Sequence, residues 1–129
     1  NRAFGHLLDG ATFVAMHRNL YWRTSAGMEL DTGAYVAALE ESSGMVPVVL
    51  GKPSPEFFAT GVAELGLSPD RVAMVGDDVD NDVLAGQRCG LHGVLVQTGK
   101  FRPEALDMAS GTPDHVVDSF ADVPALLEH

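Results

Sequence analysis

Between Lys52 and Gln97, short apolar runs rich in strand formers alternate with helical stretches, and this alternation limits the fold more than any other feature of the chain. Parallel neighbours need a crossover connection, so strand and helix in regular succession imply a parallel sheet wound with helices, an α/β architecture. The helix over "PEFFATGVAEL" has Ser54 as its N-cap and Pro55 at its first position, carries Phe58, Val62 and Leu65 on one face, and stops at Gly66. After the turn "SPDR" come a buried strand "VAMV", an acidic loop "GDDVDND", a helix "VLAGQRC" ending at Gly90, and a second strand "LHGVLVQ". Residues 98–115 read as an irregular loop with one short helix, followed by a last strand in "VVDSF" and a terminal helix in "ADVPALLEH".

Upstream the character differs, and the change near residue 45 marks a boundary between a unit 1–45 and a unit 46–129. The first unit opens with a helix carrying Phe4, Leu7 and Leu8 up to Gly10. A strand over "ATFVAMH" comes next, then "LYWRT" as its partner or continuation, and a turn in "MELDTG". A helix over "AYVAALEESSG" turns Val36 and Leu39 inward and ends at Gly44. With 129 residues, 46% of them hydrophobic, the chain suffices for one compact domain or a piece of one. Its net charge of -10 repels nucleic acid and anionic membranes as a whole-molecule field, while leaving room for a local cationic pocket. Apolar runs such as "VPVVL" fall far short of the ~20 residues of a membrane helix. A lone Cys89 makes no internal disulfide, which points to a reducing, cytoplasmic setting and to Cys89 as a small buried residue.

The chemistry concentrates in "VAMVGDDVDND". Ligands of parallel α/β sheets collect beyond the carboxyl ends of the strands, and Asp77 is the first residue able to project there. Asp82 falls at the start of the next helix, where its side chain can point back to the same spot. Two carboxylates held together suit Mg²⁺, which takes hard oxygen ligands, keeps several waters and uses one or two protein carboxylates with a substrate phosphate. The alternative is that Asp78, Asp80 and Asn81 are solvated loop residues and Asp82 caps the helix. Lys52, in "GKPSP" just ahead of a helix whose first amides favour anions, adds the cation of a phosphate site. A lysine among these aspartates lowers their repulsion and offsets charge on a transferring phosphoryl group.

Here the residues resemble the haloacid dehalogenase-like (HAD) superfamily of phosphatases, in its NagD-type subfamily with a large cap. "GKPSPEFF" is similar to the third motif of that family and "MVGDDVDNDVLAGQRCG" to the fourth. "GVLVQTGKFRPEAL" and "VVDSFADVPALL" are similar to the segments beyond the fourth motif in the branch of the phospholysine phosphohistidine inorganic pyrophosphate phosphatases. The segment from "LLDGATF" to "EESSG" resembles the end of the cap. The resemblance implies a Rossmann-like HAD core half, 46–129, with the C-terminal remnant of an α+β cap domain, 1–45. It also implies that Lys52 positions nucleophile and phosphate, that Asp77 ligates Mg²⁺ with support from Asp82, and that Asp78 is a weaker metal candidate. The family's nucleophile and acid/base aspartates, two residues apart after the first core strand, have no counterpart here; "DVD" at Asp78–Asp80 belongs to the acidic loop. The resemblance therefore implies the C-terminal half of a phosphatase, inactive alone.

In that fold the strand bearing the nucleophile lies beside "VAMV". Without it the strand becomes an exposed apolar edge, inviting self-association or a missing N-terminal half. His17, Arg18 and Asn19, in "HRNLYW", mix cationic and polar groups suited to a small phosphorylated substrate, with Tyr21 and Trp22 packing the cap as the simpler reading. Lys100 and Arg102 in "TGKFRP" read as surface loop groups, Phe57, Phe58 and Phe101 as packing residues, and His6, His92, His115 and His129 as structural. Two other classes stay open: a receiver-like module binding Mg²⁺, whose lysine should come after the acidic residues near a late strand, and an interaction fragment assembling through its sheet edge.

Overall fold

The structure, a computed structural model, describes residues 1–126; His129 and the end of the expected terminal helix lie outside the described residues. The first part of the chain runs α1 (Arg2–Leu8), β1 (Val14–Ala15), β2 (Tyr21–Thr24), β3 (Gly27–Leu30), α2 (Thr32–Ser43) and β4 (Val48–Val49). Asp31 caps α2 by accepting the Thr32 amide at 2.6 Å, and Gly44 ends it at φ 70°, in the left-handed region that glycine enters without steric cost. β1 pairs in parallel with β4, Val14 opposite Val48 and Ala15 opposite Val49, so the first unit recruits a strand beyond residue 45. Leu7, Phe13, Ala15 and Val36 form the core between these elements, with Leu39, Met45 and Val49 packed against it.

The expected turn at "MELDTG" is instead the strand β3, paired antiparallel with β2, Tyr21 opposite Leu30. The reversal happens earlier because Thr24 supplies it: its hydroxyl accepts the Ala26 amide (3.1 Å) and donates to the Gly27 carbonyl (3.2 Å). The hairpin is thinly covered. Trp22 does not pack a core as expected; its position opposite Glu29 leaves it 51% exposed.

The second part runs α3 (Pro55–Leu65), β5 (Ala73–Gly76), a π-helical turn (Val79–Leu84) leading into α4 (Ala85–Arg88), β6 (His92–Val96), α5 (Glu104–Asp107), β7 (His115–Val117) and α6 (Val123–Leu126). Pro55 begins α3 as expected, but the Ser54 hydroxyl donates to the Glu56 carboxylate instead of accepting a helix amide. β5, β6 and β7 form one parallel sheet in that order, the arrangement the alternation of elements implied. β6 is central, which is why "VLV" reads as an unbroken apolar run: Val94, Leu95 and Val96 are all buried. Leu95 packs with Val79, Val83 and Leu84 of the π-helical segment, and Phe101 and Leu106 lie against that cluster. Phe58, Ala85 and Leu91 form a second cluster, where Cys89 is only partly buried. Phe57, next to Phe58, is 44% exposed and so is not the core residue expected of it.

The outer edge of β5 pairs with no other described strand. Beside it lies an apolar groove of about 630 Å³ whose lining includes Leu50, Phe57, Leu65, Ala73 and Met74. Among the described residues no helix is long and apolar enough to cross a membrane.

Candidate active site

β5 delivers Gly76 to the carboxyl end of the sheet, and the chain continues directly into Asp77 and Asp78. The turn beyond them is one residue wider than an α-turn, with the Val83 amide reaching back to the Asp78 carbonyl at 3.2 Å. Asp78, not Asp82, is its cap: its carboxylate accepts from the Asn81 amide (3.0 Å) and from Asn81 Nδ2 (2.8 Å). Asp82 therefore turns inward and is buried against Gly76, where an added Cβ would crowd its carboxylate. This settles the choice left open between a helix cap and an inward carboxylate at Asp82.

The Lys52 ammonium lies 2.7 Å from Asp82 Oδ1. That ammonium is the charged partner of an oxygen otherwise enclosed by protein. Asp77 Oδ2 accepts the Lys100 amide at 2.8 Å, and the Lys100 ammonium lies 2.6 Å from Asp78 Oδ2. Lys100 is thus not the surface group expected: its side chain is 11% exposed. Gly99 has φ 59°, and a Cβ there would collide with the Asp77 carboxylate. Arg102 is exposed, as expected, but one of its guanidinium nitrogens donates to the Tyr21 hydroxyl at 3.2 Å. Leu20, Tyr21, Asp77, Asp78, Lys100 and Arg102 help to line a cleft of about 340 Å³.

The structure therefore joins Lys52, Asp77, Asp78 and Asp82, and adds Lys100. The signal for Lys100 was in the topology: Gly76 and Leu95 are register partners on adjacent parallel strands, so the turns after β5 and β6 open at the same end of the sheet. His17, Arg18 and Asn19 lie elsewhere in the bonding pattern. Arg18 pairs with Glu40 (2.5 Å), His17 Nε2 sits 3.7 Å from Asp31, and the Asn19 carbonyl accepts the Gly33 amide (2.9 Å). Their link to the acidic loop is indirect, through the Arg18 amide donating to the Lys52 carbonyl at 3.3 Å.

Burial pushes the Asp82 carboxyl above its ordinary range, and the charges of Asp78 and Asp77 add to this, against the opposing pull of Lys52. Asp78 goes the other way. Burial raises it, but the hydrogen bonds from Lys100 and Asn81 together outweigh that and hold it below the usual carboxylate range. A raised carboxyl binds its proton better in the folded state, so its stability contribution is full at low pH and falls as pH rises through the folded value. The depressed Asp78 contributes above its unfolded value and loses that contribution as pH falls through the folded one. Asp82→Asn should therefore melt no lower than the parent at pH 7 in chelator, with the difference closing toward acid pH. A variant melting clearly below the parent at pH 7 would show that the pair with Lys52 outweighs burial.

The profile of the HAD-hydrolase-like family matches residues 49–123. Among curated proteins, phospholysine phosphohistidine inorganic pyrophosphate phosphatase of Rattus norvegicus is 38% identical over 100% of this chain and 49% of its own length. Among solved structures, a 4-nitrophenylphosphatase from Thermotoga maritima superposes with TM-score 0.82 at 32% identity, over 96% of this chain and 48% of that one. A glycerol phosphate phosphatase from Mycobacterium tuberculosis, solved in complex with magnesium, gives TM-score 0.76 at 28% identity over 94% of this chain and 37% of that one. The chain spans about half the length of the curated relatives it matches. A profile match over most of the sequence, laid on a parallel sheet whose carboxyl end gathers Lys52 and three aspartates, shows that the chain belongs to the haloacid dehalogenase-like hydrolase family.

Proposed function

We propose that this chain is the metal- and phosphate-binding half of a Mg²⁺-dependent phosphatase acting on a small phosphorylated metabolite through an aspartyl-phosphate. The observation carrying this reading is the Lys52 ammonium 2.7 Å from a buried Asp82, with the carboxylates of Asp77 and Asp78 beside it at the sheet's carboxyl end. Asp77 and Asp82 offer the hard carboxylate oxygens that Mg²⁺ takes, one or two of them together with a substrate phosphate, while Lys52 and Lys100 balance the charge of Asp82 and Asp78. Asp77 and Asp82 would hold the ion, with Asp78 beside them. When bound, Mg²⁺ supplies Lewis-acid stabilisation of the phosphoryl oxygens.

The chain's own residues do the rest. Lys52 faces the transferring group and stabilises its charge, and it holds Asp82 in place through their ion pair. The nucleophile is an aspartate from outside the matched half. It attacks phosphorus as the bond to the leaving oxygen breaks, the alcohol taking a proton from the acid/base aspartate of that half, and water, giving a proton back to that aspartate, then cleaves the acyl phosphate to inorganic phosphate and the free carboxylate. That aspartate arrives on a strand of the remaining half seated on the open edge of β5, covering the apolar groove of Leu50, Phe57, Leu65 and Met74.

Mixing the chain with that half, and assaying an aryl phosphate with and without Mg²⁺, tests the reading: turnover should require all three. Met74→Asp, which puts a charge on the groove, should weaken association of the halves by at least about 10-fold, since it buries an unpaired carboxylate. One observation favours the receiver-like reading, namely that Lys100 comes after the acidic residues and pairs with Asp78. Phosphorylation of the lone chain by a small phosphodonor with Mg²⁺ would support that reading instead.

A further inference from the structure

Lys100 occupies a position that its sequence context did not announce. Its backbone amide holds Asp77, its ammonium holds Asp78, and the same ammonium sits 3.5 Å from the Tyr21 carbonyl and 5.5 Å from the centre of the Tyr21 ring. Arg102 flanks the same ring at 5.3 Å. The Arg23 side chain donates to the Gly99 carbonyl at 2.6 Å, one residue before Lys100. The Gly99–Arg102 turn is therefore bonded on one side to the two leading carboxylates of the acidic loop and on the other to strand β2 of the hairpin. Of eight Lys and Arg residues in a strongly acidic chain, three are spent on this junction. A general charge-balancing role would spread them over the surface.

We propose that Lys100 is a positioning residue: it fixes the Asp77 and Asp78 carboxylates for the divalent ion and couples their placement to the β2–β3 hairpin through Tyr21. The metal part rests on the phosphatase reading above, whereas the coupling part does not. The physical basis is that two like-charged side chains side by side spread apart unless a donor holds each. Here one residue holds both, the first by its main chain and the second by its side chain. Partners that orient metal-ligating carboxylates typically change metal affinity by about 10–100-fold when removed. The hairpin has little core of its own, with Trp22, Met28 and Leu30 exposed, so its placement over the cleft depends on contacts of this kind.

The test has two arms. In chelator, thermal melting is compared for Tyr21→Leu, Asp78→Asn and the double variant, each in the parent and in Lys100→Met. Tyr21→Leu removes the ring beside the Lys100 ammonium and Asp78→Asn its charge partner, so in the parent the two effects should fall short of additivity by about 3 °C, and in Lys100→Met they should add. Additivity in the parent would overturn the coupling. In the second arm Mg²⁺ binding is measured by calorimetry. Lys100→Met, which releases Asp78 while the main-chain amide still holds Asp77, should bind about 10-fold more weakly, the low end for an orienting partner, and Lys100→Arg within about 3-fold of the parent. Equal or tighter binding by Lys100→Met would overturn the positioning role, showing that the ammonium merely competes with the ion. A parent that takes up no Mg²⁺ while the melting effects remain coupled counts against the metal reading and upholds the bridge.

Discussion

Lys52→Met in the complete enzyme is expected to lower kcat/KM for an aryl phosphate by about 10²–10³-fold, the loss typical of removing one charge-stabilising group from a transition state. The change acts twice. On the proposed phosphatase reading it removes the cation facing the transferring group, and it strips Asp82 of its ion-pair partner in a buried setting where Asp77 and Asp78 already disfavour its charge. Asp82 then takes up a proton more readily, so the Mg²⁺ titration midpoint should also move to higher concentration. Lys52→Arg keeps the charge but not the reach of a single ammonium, and should recover part of the rate. A loss below about 5-fold in Lys52→Met, with Mg²⁺ affinity unchanged, would remove Lys52 from the phosphoryl-transfer machinery.

Leu95→Ala is expected to produce the largest loss of stability, about 2–5 kcal/mol by chemical denaturation. Leu95 is fully buried toward the carboxyl end of the central strand and packs on Val79, Val83 and Leu84, the segment that carries Asp82 into the site. A cavity there loosens the π-helical turn from beneath. Mg²⁺ affinity should fall as well, because the loosened segment carries Asp82. Leu30→Ala, at a position 67% exposed on the hairpin, should change stability by less than about 0.5 kcal/mol. Similar losses in the two variants would mean that the sheet is not the structural centre of this chain.

The elements of the second unit were legible because local and global preferences agree there. Pro55 and Gly66 bracket α3, and the apolar run of β6 marks a strand covered on both faces. The carboxylates and Lys52 were legible for a related reason: Gly76 and the strand before it can only point Asp77 off the sheet's end. What escaped depended on nonlocal contacts. Nothing within "TGKFRP" shows that Lys100 meets Asp78, because the meeting is made by the pairing of β5 with β6. The inward turn of Asp82 arises from the one-residue-wider helical turn, a backbone choice with no side-chain signature. Trp22 and Phe57 misled because aromatic residues are usually covered, and here their surroundings in the described residues leave both partly bare. For His17, Arg18 and Asn19 the sequence showed a mixture of side chains, but Glu40, Asp31 and Gly33, all distant in sequence, decide what they bond.

The order β5, β6, β7 in space is also the order in the chain. Each strand therefore meets its neighbour across a single crossover connection, a smaller closure cost than a longer separation would impose, although parallel pairing is itself slow to form. The pairing of Val14 with Val48 must instead wait for an entire hairpin and helix to be gathered in between. Refolding followed by hydrogen exchange should show the local β2–β3 hairpin first, the β5–β6–β7 sheet with its carboxylates next, and the long-range β1–β4 pairing last.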